Sequence, residues 1–437
     1  MHILKELTLR ALFLAPMLEG IFQSQSHRIC VALSDEAWLT LNIFRINGLE
    51  TSGRSHLQRM ANLDIIDDIN RQTVEAATGS KRRLRLVKDV MKHTLKQLSS
   101  SRPDPFKDID GLDGYDVYAA DGHYHKPALF DKKIAGKKQA VQHFYALNLR
   151  THGMSHLTAA RIGDDADPDV ETKTSKKKKK KPRQKENDIH ALKRLSAAAL
   201  RQGAQAGRKV IYVYDRALID FAQWGVWKMQ NGVYVISREK DGMNMTVVGA
   251  CPYNEKDSIN AGIISCDSVT SSDGTRLRRI TQRLPETGEE MVFLTNEFRL
   301  EPGVIVYLYK RRWDIEKVYD VFKNKVHEKQ AWGKSITTKE IQAHMICIHH
   351  NLTMLLEEHL DMESVQRDDR KRAHKRLKEL KAKTEARGDV MPKLRCAITT
   401  ITQHSKKLLG WLRACLELDK PLQQAIASLQ KLLEATY

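Results

Sequence analysis

The sequence predicts an α/β protein whose strand and helix alternation is interrupted by an antiparallel β insertion and enclosed by helical regions at both ends. Three observations carry this. Lys209–Tyr214, KVIYVY, is an uninterrupted run of β-formers ending in Asp215-Arg216, the pattern of a strand buried on both faces. Residues 241–300 hold turn signals at Ser272-Asp273-Gly274-Thr275 and Glu286-Thr287-Gly288-Glu289, with β-prone runs between them. Residues 1–100 look mainly helical, and from Thr337 to the end apolar residues fall at helical spacing with no strand signal.

The elements follow in order. The N-terminal helices close on a loop, Ser99 to Pro105, and a weak helix-turn-helix pattern lies over Gly53–Thr78. Tyr115–Ala120 is a short β-prone run ending at Asp121-Gly122, which puts a carboxylate at a strand tip. Asp113 and Asp116, just before it, read as loop acids. His143–His152 and Met154–Ile162 are the next strand candidates, with Gly153 as the turn. Asp188 caps an Ala/Leu helix running to about Gln205. After the apolar strand come a helix around Ala217–Met229 and a strand over Val233–Ser237. Glu301-Pro302-Gly303 then opens a long helix to about Val326.

Charge narrows the function. The 437 residues carry a formal net charge of +19, which points to a polyanion as partner, nucleic acid first. Residues 173–185, KTSKKKKKKPRQK, hold nine basic side chains and no acid, yet without them the chain still carries +10. That run reads as a solvated loop able to grip phosphates without reading sequence. Lys81–Lys96 and Arg367–Lys383 read as amphipathic helices with basic outer faces. The six cysteines form no Cys-x-x-Cys pair, which excludes a cysteine zinc finger or disulfide scaffold and fits a reducing cytoplasm. Leu12 to Phe22 is too short and too charged to span a bilayer, so no membrane partner is expected.

Three carboxylates stand where chemistry would use them. Asp121 and Asp215 end strands and Glu316 lies within a helix. Acids at adjacent strand ends with a Glu projecting from a nearby helix make an oxygen-lined pocket for two divalent cations, Mg²⁺ with Mn²⁺ able to substitute. Such a pair of ions activates an attacking hydroxyl and stabilises the leaving oxygen in phosphodiester chemistry. On the same helix Tyr309, Arg312, Glu316 and Lys323 share one narrow stripe, while Trp313, Val318, Val321 and Phe322 lie elsewhere and can pack inward. An ordinary i,i+4 pair of Arg312 and Glu316 is the alternative for this segment alone.

The spacing Tyr309-xx-Arg312-xxx-Glu316-xxxxxx-Lys323, within YKRRWDIEKVYDVFK, resembles the helix motif of the Tyr-Arg-Glu-Lys group of DDE transposases, family four of the bacterial insertion sequences. Ala120-Asp121-Gly122 resembles that group's first-Asp strand, Tyr214-Asp215-Arg216 its second, and the β insertion stands where the group carries one. The resemblance covers about residues 110–355. It implies an RNase H-like catalytic core, Mg²⁺-dependent cleavage of transposon terminal inverted repeats, strand transfer into target DNA through a hairpin intermediate, and a homodimer pairing two ends. Carried over by position, Asp121, Asp215 and Glu316 are the metal ligands and catalytic residues. Tyr309, Arg312 and Lys323 hold the end strand, with Arg216, Arg238 and Lys240 as further DNA contacts. The implied organisation is a helical DNA-binding region at 1–105, the core at 106–240 and 301–360, the insertion at 241–300, and a helical region at 361–437 with dimerisation as its candidate role. A cytoplasmic, nucleoid-associated location follows.

The sequence also departs from the group. His123-Tyr124-His125 stands where Ser or Thr usually follows the first Asp-Gly, and reads as strand-end solvation, a phosphate contact, or a zinc site built with Asp121. Some members of the group stack a flipped base on a Trp in the β insertion, but residues 241–300 contain none, so either Tyr253, Phe293 or Phe298 substitutes or that step differs. Leu408, Leu409, Leu412 and Leu416 fall at helical spacing and face either a partner subunit or the rest of the chain. A DNA-binding derivative without activity and an RNase H-like nuclease are the competing functions.

Overall fold

Residues 7–48, 52–66, 69–101, 104–134, 136–161, 186, 188–324, 326, 330–360, 363–391 and 406–434 are described by the structure, a computed structural model. The lysine run at 173–185 lies outside the described residues. Among the described residues five helices come first: α1 (Leu9–Gln23), α2 (Asp35–Asn47), α3 (Gly53–Asn62), α4 (Arg71–Thr78) and α5 (Lys81–Ser101). The first four begin where Thr8, Ser34, Ser52 and Asn70 each accept a hydrogen bond from a backbone N–H of the first turn. The connection from α3 to α4, residues 63–70, is longer than the roughly three- to four-residue turn of a helix-turn-helix.

The middle of the chain then runs β1 (Tyr115–His125), β2 (Lys133–Ile134), β3 (Lys137–Lys138), β4 (Val141–Asn148), β5 (Met154–Ala159), α6 (Asp188–Lys193), α7 (Ala197–Leu200), β6 (Lys209–Tyr214), α8 (Phe221–Asn231) and β7 (Val233–Arg238). Four further strands, β8 (Met245–Ala250), β9 (Ile263–Ser271), β10 (Arg276–Arg283) and β11 (Glu290–Thr295), lead into α9 (Pro302–Arg311) and α10 (Trp313–Asn324). The chain closes with α11 (Ile336–His359), α12 (Glu363–Ala386), α13 (Lys406–Glu417) and α14 (Leu422–Glu434).

Among the described residues, all strands except the β2–β3 ribbon join one nine-stranded sheet, ordered β5-β4-β1-β6-β7-β11-β10-β9-β8. β1, β6 and β7 run parallel, and every other neighbouring pair is antiparallel. The β insertion therefore continues the central sheet, joined where β11 pairs with β7. Strand alternation sets the layers. Val117, Ala119, Ile211 and Val213 face a core shared with α1, α2, α5, α9, α10 and α11. Tyr118, Ala120, Tyr212 and Tyr214 face a second core with α6, α7 and α8. The N-terminal helices are thus not set apart, since α5 lies along α11.

Several sequence expectations change here. β1 continues past Asp121 to His125, because β4 pairs with it antiparallel through Val141. Asp116 is a buried strand residue, not a loop acid: its carboxylate accepts from the Gln205 backbone N–H at 2.7 Å and meets Arg208 at 3.3 Å. The 188–205 helix is two short ones, because Ser196 starts a new turn by accepting from Ala199 N–H. The long 301–326 helix is broken at Arg312, where N–H groups reach back three residues, Arg312 to Tyr309 and Ile315 to Arg312. The buried pairing of Arg311 with Asp314 closes that tight turn. Leu408, Leu409, Leu412 and Leu416 are buried within the chain, where α13 packs on α1, α2 and α14.

One glycine locks the insertion to the start of α9. A Cβ on Gly303 would stand 1.9 Å from the Ile259 carbonyl oxygen, and the Gly303 N–H donates to Asn260 Oδ1 at 3.0 Å. Backbone cannot yield as a flexible side chain can. Gly303→Ala is expected to cost about 3 kcal/mol, seen as a lower thermal midpoint. An unchanged midpoint would show that this contact opens freely.

Candidate active site

The register of the parallel pair brings the two aspartates together. Ala120 stands opposite Tyr214, so Asp121 and Asp215 are the next residues on adjacent strands. By alternation both side chains project on the face of Val117, Ala119, Ile211 and Val213, where α10 covers β1. Backbone N–H groups orient each carboxylate: Gly122 N–H donates to Asp121 Oδ1 at 2.7 Å and Arg216 N–H to Asp215 Oδ1 at 2.6 Å. Gly122 is a close approach, since a Cβ there would meet Gln142 Nε2 at 2.3 Å and Phe144 at 3.1 Å. Tyr319 of α10 holds the same strand by donating its hydroxyl to the Asp121 carbonyl at 2.7 Å.

Arg312 sits at the junction of α9 and α10 with its guanidinium between carboxylates, Nη1 at 3.6 Å from Asp121 Oδ2 and 3.3 Å from Glu316 Oε1. It is buried, and its Nε has no hydrogen-bond partner among the described residues. Burial works against its charge, but Tyr309, Asp121, Asp215 and Glu316 outweigh that and raise its pKa. Burial also raises the Tyr309 phenol, with Asp215 acting in the same sense and Arg312 and Arg238 opposing. Asp121 is pushed up to about 6, first by burial and then by the Glu316 carboxylate, against the Gly122 N–H and Arg312. Two carboxylates that close repel unless a proton or a cation separates them.

Tyr309, Arg312, Asp121, Asp215 and Glu316 therefore form one cluster, with Arg238 near enough to act on Tyr309. Arg216 is exposed next to Asp215, Lys323 is exposed along α10, and Lys240 is half-buried just past the end of β7. The donor set fits a hard cation in chemistry, being carboxylate oxygen. In this arrangement it fits only in part. Among the described residues no group of three His, Cys, Asp or Glu side chains stands close enough to hold a metal ion, and Arg312 lies among the acids.

Three side-chain expectations are corrected. Trp313 does not pack inward: it is 60% exposed, and the Arg312 guanidinium lies 5.1 Å from its ring. Helical spacing gave no signal for it; adjacency to Arg312 did. Phe293 is buried edge-on against Tyr309, so it offers no face to a base, and the half-buried Phe298 ring has the Lys228 and Arg276 cations at 5.1 and 5.4 Å. His123 and His125 are buried, which removes the solvation and phosphate readings. His123 stacks on Tyr319 at 5.0 Å, and His125 shares a hydrogen bond with the Tyr145 hydroxyl at 2.9 Å.

No helix among the described residues is long and apolar enough to cross a membrane. A comparison with curated proteins finds no match. The model of the transposase DDE domain matches residues 106–352, which is more than half of the chain and takes in both aspartates, the β insertion and Glu316, and the protein belongs to that family.

Proposed function

We propose that the chain is the transposase of an insertion sequence of family four, with an RNase H-like core that cuts DNA at terminal inverted repeats and joins the ends to target DNA. The observation that carries this is the convergence of Asp121, Asp215 and Glu316, from three separate segments of the DDE domain, around one buried arginine. DDE transposases generally use divalent metals, and transposase membership implies DNA as partner. Asp121, Asp215 and Glu316 are the proposed ligands of two Mg²⁺ ions, with Mn²⁺ as substitute. When bound, the ions would polarise the scissile phosphate and its attacking oxygen.

The chain's own groups have distinct tasks in this reading. Arg312 and Tyr309 bind and orient the end-strand phosphate, and Arg312 screens the carboxylates from one another before DNA arrives. Arg216, Arg238 and Lys240 extend the grip on the backbone, and Trp313 offers an aromatic face beside Arg312 for a base. A homodimer would pair the two ends. Purified protein with Mg²⁺ and duplexes from the DNA flanking its coding region tests the reading. Nicking at the repeat ends is expected. Binding without nicking would favour a non-cutting derivative, and cleavage indifferent to the repeats would favour a nuclease.

Lys323 and Glu316 separate two of these tasks. They are seven residues apart on α10, about 10 Å along its axis, so Lys323 reaches a neighbouring phosphate and not the carboxylate cluster. Hairpin formation bends the strand and crowds its phosphates, where a lost cation hurts most. Lys323→Ala is expected to accumulate nicked ends with few hairpins on gels of labelled DNA. Hairpins at the wild-type level would remove Lys323 from strand holding.

A further inference from the structure

Beyond Asp121, β1 leads into a turn with an unusual tip. Ala128 to Asp131 is a β-turn closed by Asp131 N–H donating to the Ala128 carbonyl at 3.1 Å, and its two central residues are Leu129 and Phe130. Those positions usually hold Pro, Asp, Asn or Gly. Here they hold two large apolar side chains, 63% and 75% exposed. The turn is anchored tightly. The Asp131 carboxylate accepts from Ala128 N–H at 2.7 Å and from Lys339 Nζ of α11 at 2.9 and 3.0 Å, and both charged side chains are nearly buried. The Lys126 carbonyl accepts from Ala331 N–H at 3.0 Å, and Lys138 Nζ donates to the Leu129 carbonyl.

The surroundings say what would meet this tip. Asp131 is already neutralised by Lys339, while Lys126, Lys132, Lys133 and Lys137 are exposed beside it. An exposed apolar pair with four exposed lysines close by in the chain matches a polyanion with an apolar interior, which is stacked bases between phosphates. The turn starts seven residues after Asp121, at most about 23 Å along the strand direction at roughly 3.3 Å per residue. At about 3.4 Å per base step that is up to about seven steps.

We propose that Phe130, backed by Leu129, is a wedge that enters the base stack of bound DNA within about seven steps of the phosphate cut at Asp121. The proposal rests on the DNA-transposase reading and deepens it. Unstacking there would let the duplex bend toward the carboxylate cluster, with the lysines holding the flanking phosphates.

The test uses the full chain and end duplexes carrying 2-aminopurine at successive positions, without divalent metal so that nothing is cut. The wild type is expected to raise emission several-fold at one step in that window. Leu129→Ala/Phe130→Ala is expected to abolish the rise, with thermal midpoint unchanged and affinity within about threefold. Phe130→Trp should keep the rise, and the tryptophan emission of that variant should fall by more than the wild type's when the duplex is added. A rise that persists in the double alanine variant overturns the wedge. So does a wild type that binds and, with Mg²⁺, nicks these duplexes with no step unstacked, and the transposase reading then stands alone. If the double variant instead turns a dimer into a monomer and leaves 2-aminopurine emission at the wild-type level, the tip meets a second copy and the proposal fails. A wild type that neither binds nor nicks the duplexes overturns both readings.

Discussion

Asp121→Ala, Asp215→Ala and Glu316→Ala are each expected to lower Mg²⁺-dependent strand cleavage by on the order of 10³-fold or more, with end binding changed only a few-fold. Removing one oxygen ligand from a two-ion site forfeits several kcal/mol of transition-state charge stabilisation, and each 1.36 kcal/mol is a factor of ten. In the proposed reading affinity comes mainly from basic side chains that grip phosphates, and these variants leave those side chains in place. The structure supplies a control for folding. Asp121 is raised to about 6 by burial and by Glu316, so its ionised form is disfavoured in the folded chain. Asp121→Asn keeps the shape and removes that repulsion, and should leave the thermal midpoint equal or higher while cleavage is lost. Cleavage within tenfold of wild type in a folded variant would remove that residue from the site.

What the sequence made legible is whatever depends on local pattern. An apolar β6 ending in Asp215, and β1 passing Asp121, sufficed to expect two acids on neighbouring strands, and the register Ala120 to Tyr214 bears that adjacency out. What depended on distant partners was hidden. The break at Arg312 follows from a buried Arg311–Asp314 pair and from carboxylates supplied by other segments, none of which helical periodicity can register. Trp313 lies off the stripe and so can pack inward, but angle alone does not say which face is covered, and the side chain is exposed. The β insertion joins the sheet through Phe293 opposite Arg238, a pairing of residues far apart in sequence. The four leucines of α13 allowed two readings until α1 and α2 supplied their partners. Least legible was a group of histidines from β1, β4, β5 and α11, each unremarkable alone.

That group predicts a steep acid sensitivity. His143 and His156 share a hydrogen bond, Nδ1 to Nε2 at 3.0 Å, with His125 at 4.3 Å from the first ring and His344 at 4.8 Å from the second. One ring must offer a lone pair to the other's N–H, so protonating the acceptor breaks the contact. Burial depresses all three of His143, His156 and His344, and neighbouring charge adds to it. The other imidazoles act on His143, chiefly His344 on His156, and Lys88 and Lys92 of α5 on His344, which falls to about 3. His344 also meets Met91 Sδ at 3.3 Å, which gives an imidazolium no anionic partner. The sign follows: the unfolded chain takes up these protons near pH 6.5 and the folded chain does not, so stability is complete above that value and is lost as pH falls. Between pH 7.5 and 5, His344 alone should cost about 2 kcal/mol. His143 and His156 act in the same direction, so a sizeable part of the roughly 5–15 kcal/mol that holds a typical domain would go. Urea midpoints measured at pH 7.5, 6.5, 5.5 and 5.0 should fall progressively, and His344→Leu should flatten the slope by about one proton. An equal slope in that variant would show that His344 is already charged in the fold.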